Sequence, residues 1–252
     1  EIANITKSQQ IYNIHKEYIN AGCKAIKTNT FAANIDNFDD DHEYLKKVIT
    51  EGWKIANKAA EEKDVFVFAD IGPVPETDGV KISEKYIETA DIFINLGAEN
   101  FLFETLYDDY GIYETAEYIK KKVPNALIVS FSVQIDGYTK DGILGTELIK
   151  RANSNEYVDY TGLNCVLGPH HMYKYFKKIA NLGTNFSVMP NAGYPTVINN
   201  RTFFDSSPEY FAMETEDIAK LGVKILGGCC GTTPQHIQKL VGRLKEKKAR
   251  EI

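Results

Sequence analysis

The sequence predicts an α/β protein of the (β/α)8 TIM barrel class. Short apolar runs of strand type alternate with helical patterns along the whole chain. The unit repeats about every 30 residues, which is the length of one βαβ unit. Strands that alternate with helices form right-handed crossovers and a parallel sheet. With 252 residues, 43% of them hydrophobic, we expect one domain over residues 1–252.

The elements are predicted in order from periodicity and from Gly and Pro signals. Helices are expected over residues 8–22, 42–61, 83–96, 111–122, 170–181, 208–221 and 234–248, with a short one within 142–153. Strands are expected over residues 25–31, 65–70, 100–105, 126–133, 158–165, 186–189 and 223–226. The Gly- and Pro-rich segment 71–79 and the segment 194–206 are expected to be loops, the second a lid or a subunit contact.

These runs make seven strands, whereas a (β/α)8 barrel has eight. Because the chain opens on a helical pattern, the sequence predicts that the first strand is missing and that the barrel domain is N-terminally incomplete. The alternative architecture is an open, doubly wound sheet.

Composition excludes several classes of function. The net charge is −6, the isoelectric point is near 5.5, and both signs of charge are interspersed. A nucleic-acid or anionic-membrane surface needs a basic patch, so neither partner is expected. The apolar runs are far shorter than the roughly 20 residues of a membrane span. Four cysteines in a chain of this length do not indicate a disulfide framework, which favours a reducing, cytoplasmic location.

Polar residues follow the predicted strands at their C-terminal ends, where the active sites of TIM barrels lie. These strand-end residues are Thr28, Asn29, Thr30, Asp70, Glu104, Thr105, Gln134, Asp136, Asn164, Cys165, Asn191, Cys229 and Cys230. Three of the four cysteines belong to this set. Barrel closure is therefore expected to bring Cys165 within reach of the vicinal pair Cys229 and Cys230.

Three thiolates around one soft, tetrahedral ion are typical of a zinc site with one open, catalytic position. Glycines at positions 227, 228 and 231 allow the backbone to turn sharply enough for both vicinal thiols to face one centre. The opposing interpretation is that cysteines are small buried core residues. We prefer that interpretation for Cys23, which follows a helix.

The same loop supports a second interpretation. Gly227-Gly228 precedes a helix that Thr232 or Thr233 could cap, with Pro234 in its first turn. Such a helix start binds anions, so a phosphate-binding barrel lyase or isomerase is the alternative function. Two thiols add nothing to a phosphate site, which weighs against it.

Other strand-end and polar residues have two possible roles. Glu104 is either ion-paired for structure or the partner of a substrate ammonium group. Five histidines fall on helices or their edges, and we expect them to be surface or capping residues: His15, His42, His170, His171 and His236.

With these residues in place, the chain resembles the homocysteine S-methyltransferase domain family. That family includes the homocysteine-binding module of methionine synthase and of proteins that fuse it to a methylenetetrahydrofolate reductase. The matching segments run in the family's order over nearly the whole chain: residues 14–22, 28–31, 103–105, 162–169, 190–193 and 227–234. The last of them, Gly-Gly-Cys-Cys-Gly-Thr-Thr-Pro, is highly specific when paired with the upstream Asn164-Cys165.

The resemblance implies a (β/α)8 barrel with Zn2+ on Cys165, Cys229 and Cys230. It also implies that Asn191 fills or lines the fourth position, and that Glu104 contacts the amino group of homocysteine. The remaining pocket residues implied are Thr105, Asn164, Thr28 and Asn29.

The implied activity is methyl transfer to the sulfur of L-homocysteine, which gives methionine. A free thiol with a pKa of about 8.5 is mostly protonated at neutral pH, and zinc binding removes that proton. Relatives use methylcobalamin with methyltetrahydrofolate, S-methylmethionine, S-adenosylmethionine or betaine as the methyl donor, and the sequence does not select among them. A donor domain could lie on a longer parent chain or a partner protein. A non-catalytic module that binds zinc and a thiol metabolite is the non-enzyme alternative.

Two departures from the family pattern stand out. The family's first strand carries an Asp-Gly-small-Met-Gly segment that is absent from this chain, and Lys27 stands where relatives often have Glu or Gln. The sequence leaves open whether Lys27 faces the barrel mouth or packs outward.

Overall fold

Seven parallel strands form the central sheet of the computed structural model, which describes residues 1–77, 79–199, 201–204 and 206–250. The strands lie side by side in the order in which they occur along the chain. A doubly wound sheet would instead reverse its strand order at a switch point. The sequential order therefore confirms the TIM-barrel prediction, with seven of the eight barrel strands among the described residues.

The sheet strands are short. They are β1 (Ala25–Lys27), β2 (Phe66–Ile71), β3 (Asn100–Leu106), β4 (Leu127–Phe131), β5 (Tyr160–Asn164), β6 (Phe186–Met189) and β9 (Ile225–Leu226). In the described part of the chain, β1 and β9 each pair with one neighbour, β2 and β6 respectively. These two strands are the open edges of the sheet.

Helices cover the outer face of the sheet. They are α1 (Ala3–Thr6), α2 (Ser8–Asn20), α3 (His42–Ala60), α4 (Ile82–Asn95), α5 (Ile112–Lys122), α6 (Gly145–Asn153), α7 (Pro169–Ile179), α8 (Pro208–Ala219) and α9 (Pro234–Arg250). Two short 3-10 helices lie at Ile35–Phe38 and Ala180–Leu182. Among the described helices, none is long and apolar enough to cross a membrane.

The core has two apolar layers because strand side chains alternate between the two faces of the sheet. The larger layer lies between the sheet and the helices and includes the fully buried Leu45, Phe93 and Phe176. The smaller layer fills the barrel interior below the mouth. It consists of Phe68, Leu102 and Ile128, with Tyr160, Met189 and Ile225 packed against them.

Most predicted elements are confirmed to within two residues at each end, but several strands are shorter than expected, the first and the last among them. The first predicted strand ran over residues 25–31, and β1 ends at Lys27. The last ran over 223–226, and β9 contains two residues. β-type residues lie after β1 and before β9, so composition overstated both strands.

The prediction of a loop over residues 194–206 is wrong for most of that segment. The strands β7 (Pro195–Ile198) and β8 (Arg201–Phe204) pair antiparallel as a hairpin. Runs rich in Thr, Val, Ile and Phe on either side of Asn199-Asn200 are a hairpin signal that the loop prediction did not take into account. Asn200 and Asp205 lie outside the described residues.

Candidate metal centre

The three strand-end cysteines converge at the barrel mouth. The Sγ atoms of Cys165, Cys229 and Cys230 all lie within 4.8 Å of one another, and Cys165 Sγ is 3.7 Å from Cys230 Sγ. All three are free thiols. The predicted approach of Cys165 to the vicinal pair is confirmed, and we call these residues the thiol cluster.

The backbone after β5 is bent to aim Cys165 into the thiol cluster. Cys165 and Val166 have positive φ angles of 62° and 57°. A β-branched residue such as valine rarely adopts this region, so the turn is strained. Two hydrogen bonds hold it, from Cys165 N to Met189 O at 3.1 Å and from Leu167 N to Cys165 O at 2.6 Å.

The vicinal cysteines are held by the segment that follows β6. Cys229 N donates to Pro190 O at 2.8 Å, and Cys230 N donates to Asn191 Oδ1 at 3.1 Å. In return, Ala192 N donates to Cys230 O at 2.9 Å. These bonds lock the loops after β6 and β9 together, so the two vicinal thiols have defined positions.

Glycine is required directly after the pair. Gly231 has φ of 77°, and a Cβ at this position would lie 2.3 Å from the Phe204 side chain. Phe204 belongs to β8, so the hairpin packs directly against the cysteine loop.

Because the three thiols are crowded together, a thiolate in the thiol cluster is destabilised unless a cation is bound beside it. The hydrogen bond with Cys165 and burial raise the pKa of Cys229 to about 12. The pKa values of Cys165 and Cys230 also lie above the usual range. A bound metal cation reverses this penalty because thiolates are its preferred ligands. The thiol cluster therefore fits a soft metal ion with three sulfur ligands.

A second cluster joins Lys27 to two buried carboxylates at the ends of β1, β2 and β3, and we call it the carboxylate–lysine cluster. Lys27 Nζ donates a hydrogen bond to Glu104 Oε1 and lies 3.7 Å from Asp70 Oδ2. Side-chain exposure is 2% for Asp70 and 4% for Glu104, but 37% for Lys27. Lys27 therefore faces the barrel mouth, which answers the question that the sequence left open.

The charges in the carboxylate–lysine cluster depend on one another. Burial would lower the pKa of Lys27, but Asp70 and then Glu104 raise it, and the net pKa lies above the usual value. Burial and the neighbouring Glu104 raise the pKa of Asp70 well above its usual value, against the opposite effect of Lys27. Asp70 Oδ1 is buried without a hydrogen-bond partner among the described residues. The arrangement keeps one lysine cation shared between two acidic groups.

Asn164 links the two clusters. Its Nδ2 lies 3.4 Å from Glu104 Oε2 and 3.9 Å from Cys229 Sγ, and it donates to Thr105 Oγ1 at 2.7 Å. Its Oδ1 accepts from Thr105 N at 2.9 Å and from Ser130 Oγ at 2.8 Å. One fully buried amide thus separates the Glu104 carboxylate from the thiol cluster.

Asn164 also holds an irregular stretch of β3. Thr105 has φ of 60°, and the pairing of β3 with β4 shifts register between Phe103 and Leu106. A bulge of this kind re-aims the side chains around it. Here it directs Glu104 toward Lys27.

The other predicted site residues serve the scaffold in this structure. Thr28 Oγ1 lies 2.6 Å from Thr30 Oγ1 and accepts from Asp70 N at 3.0 Å. Asn29 pairs with Asn4 of α1, at 3.0 Å between the side chains. Asn191 is buried and accepts from Cys230 N, so it borders the thiol cluster. Their predicted contacts with substrate remain predictions.

The structure corrects the expectation for His15 and confirms the choice against Cys23. His15 and His236 are buried rather than on the surface. His236 has the expected capping role, since Thr233 N donates to its Nδ1 at 3.1 Å beside the start of α9. Cys23 lies outside the thiol cluster and packs against the core.

The pairing of Lys27 with Glu104 was not predicted from the sequence. The predicted strand ran to residue 31, which placed Lys27 in its middle, whereas β1 ends at Lys27. In the structure, the preceding Ile26 packs in the outer core, so alternation along β1 turns Lys27 to the inner face.

Comparison with known proteins supports this architecture. The family model described as homocysteine S-methyltransferase matches residues 1–244. The methionine synthase of Mycobacterium tuberculosis is 28% identical over 100% of this chain and 23% of its own length. That of Mycobacterium leprae is 28% identical over 95% of this chain and 22% of its own length. The chain thus spans less than a quarter of these curated relatives.

Solved structures show the same fold. The homocysteine methyltransferase MmuM from Escherichia coli in its apo form superposes with a TM-score of 0.75 at 21% identity, covering 96% of this chain and 88% of that chain. Its metallated form gives the same TM-score at 19% identity, covering 96% and 86%.

Proposed function

The chain belongs to the homocysteine S-methyltransferase family, and on that premise we propose that it transfers a methyl group to the sulfur of L-homocysteine to form methionine. The geometry of the thiol cluster and its surroundings supports this proposal. The three Sγ atoms of the thiol cluster converge within 4.8 Å, and Asn164 bridges this cluster to the buried Glu104. A metal-ligand set and an ammonium partner are therefore adjacent.

We propose zinc as the metal. Four ligands at a zinc–sulfur distance of about 2.3 Å in a tetrahedron have sulfurs about 3.8 Å apart. The 3.7 Å between Cys165 Sγ and Cys230 Sγ is close to that separation. Three protein ligands leave a fourth position for the substrate, which is the catalytic pattern. Held by Cys165, Cys229 and Cys230, a zinc ion would supply the Lewis acidity that keeps a substrate thiol deprotonated at neutral pH.

The chain's own residues bind and orient the substrate. Glu104 accepts the ammonium group of homocysteine, held in place by Lys27 and by Asn164. Asn191, which accepts from Cys230 N, borders the position that the substrate sulfur takes. Holding sulfur and methyl carbon in line converts a slow bimolecular displacement into an oriented one.

The reaction balances without a redox partner. The thiol proton is released to solvent when homocysteine binds, the sulfur electron pair forms the new S–C bond, and the donor–methyl bond breaks with its electrons remaining on the donor. We propose that the donor is presented from outside this chain, either by another domain of a longer protein or as a small molecule. Methyltetrahydrofolate through methylcobalamin, S-methylmethionine, S-adenosylmethionine and betaine are the candidates to screen.

The zinc site is tested by metal analysis of the reduced, purified protein and two variants. We expect about one zinc per chain in the parent protein, because a three-thiolate site binds zinc strongly. Cys165→Ser should lose the zinc and Cys23→Ser should keep it, because Cys23 lies outside the thiol cluster. A folded parent protein that cannot be loaded with zinc would contradict the proposal.

The activity is tested by mass-spectrometric detection of methionine with each donor. The zinc-loaded parent should form methionine from homocysteine with at least one donor, and Cys229→Ser should form none. Methionine formation that survives Cys229→Ser would contradict the role proposed for the thiol cluster. Zinc-dependent thiol binding without turnover on any donor would identify a non-catalytic binding module.

A further inference from the structure

Lys27 is a cation placed beside the carboxylate that is proposed to bind the substrate's ammonium group. Its Nζ donates to Glu104 Oε1, and its side chain is 37% exposed at the barrel mouth. Asp70 lies 3.7 Å away, which is an ion pair but too long for a hydrogen bond. Among the described residues, Lys27 Nζ therefore has one hydrogen-bond acceptor for its three donors.

The Lys27–Glu104 pair presents a positive and a negative group side by side. An α-amino acid carries its ammonium and carboxylate groups on one carbon atom, so its two charges are also side by side. If Glu104 accepts the ammonium, the two unused donors of the adjacent Lys27 are available to the carboxylate. Alternating charges of this kind stabilise each other more strongly at a half-buried site than in bulk water.

We propose that Lys27 is the specificity-determining residue that binds the α-carboxylate of the thiol substrate, while Glu104 binds its ammonium group. This inference rests on the proposed function and names a residue that the other substrate contacts do not include. Lys27 and Glu104 together then select thiols that carry both charges on one carbon.

The position of the pair relative to the thiol cluster supports this assignment. Asn164 Nδ2 lies 3.4 Å from Glu104 Oε2 and 3.9 Å from Cys229 Sγ. A single side-chain amide therefore spans from the thiol cluster to the pair. The carbon chain of homocysteine, which separates its sulfur from its charged carbon, has to span a comparable short gap.

A purely structural role for Lys27 is the competing explanation. Two buried carboxyl groups, Asp70 and Glu104, need a cation nearby to be tolerated, and Lys27 would serve that purpose without touching substrate. Removing such a cation would lower the affinity for every ligand to a similar extent. Removing a carboxylate-binding cation would lower the affinity only for ligands that carry a carboxylate.

Calorimetry with three thiols separates these roles in the zinc-loaded protein. The thiols are L-homocysteine, 4-mercaptobutanoate, which lacks the amino group, and 3-aminopropane-1-thiol, which lacks the carboxylate. We expect Lys27→Met to weaken binding of homocysteine and 4-mercaptobutanoate by about tenfold or more, the value of one charged hydrogen bond. Binding of 3-aminopropane-1-thiol should change by less than about twofold.

Companion variants make the result specific. Lys27→Arg should restore most of the affinity for carboxylate-bearing thiols, and Lys27→Gln serves if Lys27→Met does not fold. Glu104→Gln should show the opposite selectivity and lower the affinity for the two amine-bearing thiols. Lys140→Met removes a cation that stacks on the Tyr107 ring at 3.7 Å, and should leave all three affinities unchanged. Zinc content is measured for every variant.

Three results would overturn the inference. If Lys27→Met lowers the affinity for all three thiols equally, Lys27 has a structural role only. If it lowers only the affinity for 3-aminopropane-1-thiol, Lys27 acts on the ammonium group and not on the carboxylate. Failure of the zinc-loaded parent protein to bind any of the three thiols would overturn the proposed function as well, which distinguishes the two failures.

Discussion

Replacing Asn164 with alanine should destabilise the chain and loosen the thiol cluster together. The side chain is fully buried and makes three hydrogen bonds of 2.9 Å or shorter, two with Thr105 and one with Ser130. Alanine leaves the buried Thr105 N–H and the Ser130 hydroxyl without this partner. At about 1–2 kcal/mol for each orphaned group, we expect the free energy of unfolding to fall by about 2–4 kcal/mol.

That loss is measurable by urea unfolding, followed through the fluorescence of Trp53, the single tryptophan, which lies in the core. A total stability of about 5–15 kcal/mol makes a change of this size large. Asn125→Ala is the matched control, because Asn125 makes an exposed hydrogen bond to Glu99, and it should change stability by less than about 0.5 kcal/mol.

The same Asn164 variant should also bind zinc more weakly, because residue 164 immediately precedes the ligand Cys165 and its amide lies 3.9 Å from Cys229 Sγ. Competition with a chromogenic chelator measures this affinity in the parent protein and both asparagine variants. An Asn164→Ala protein with the parent's unfolding midpoint and zinc affinity would refute the role assigned to this amide.

Two further perturbations test the cysteine loop and the buried histidine. Gly231→Ala should lower zinc content, because its Cβ would lie 2.3 Å from the Phe204 side chain at a φ of 77°. Gly142→Ala has φ of 79° in open space, so it should cost only about 1–2 kcal/mol of strain and leave zinc content unchanged; equal zinc loss in both would contradict the packing argument. Burial lowers the pKa of His15 to about 4 from 6.5, so its contribution to stability is complete above pH 6.5 and declines as pH falls toward 4. Urea unfolding should therefore show that His15→Leu loses about 2 kcal/mol less stability than the parent between pH 7 and pH 5, and identical pH profiles would contradict this.

Local signals in the sequence were enough for the helices and the middle strands. The runs at 100–105 and 186–189 and the helix from about 42 to 61 are read from periodicity and capping alone, and each lies within a residue of its structural bounds. The hairpin of β7 and β8 was missed because its strands lie outside the barrel and follow a glycine-containing segment that is typical of a loop.

Local signals also identified the thiol cluster. Cys165, Cys229 and Cys230 each follow a predicted strand, and parallel strands that close into a barrel bring such positions to one mouth. The contacts between the thiol cluster and the residues around it could not be predicted in this way. The role of Asn164 depends on a register shift in β3, a strand some 60 residues away in the chain, and no pattern in the sequence marks that bulge.

Residue order alone predicts the order of the elements, the barrel class and the residues that meet at the mouth, because strand and helix periodicity are local and all parallel strands end on one side. The pairing of Lys27 with Glu104 and Asp70 is visible only in the folded protein, as is the asparagine amide between this group and the thiols. Those contacts join residues from different strands, and their distances depend on where β1 ends and how β3 bulges. Strand ends and bulges are set by hydrogen bonding between strands, which residue order along one strand does not encode.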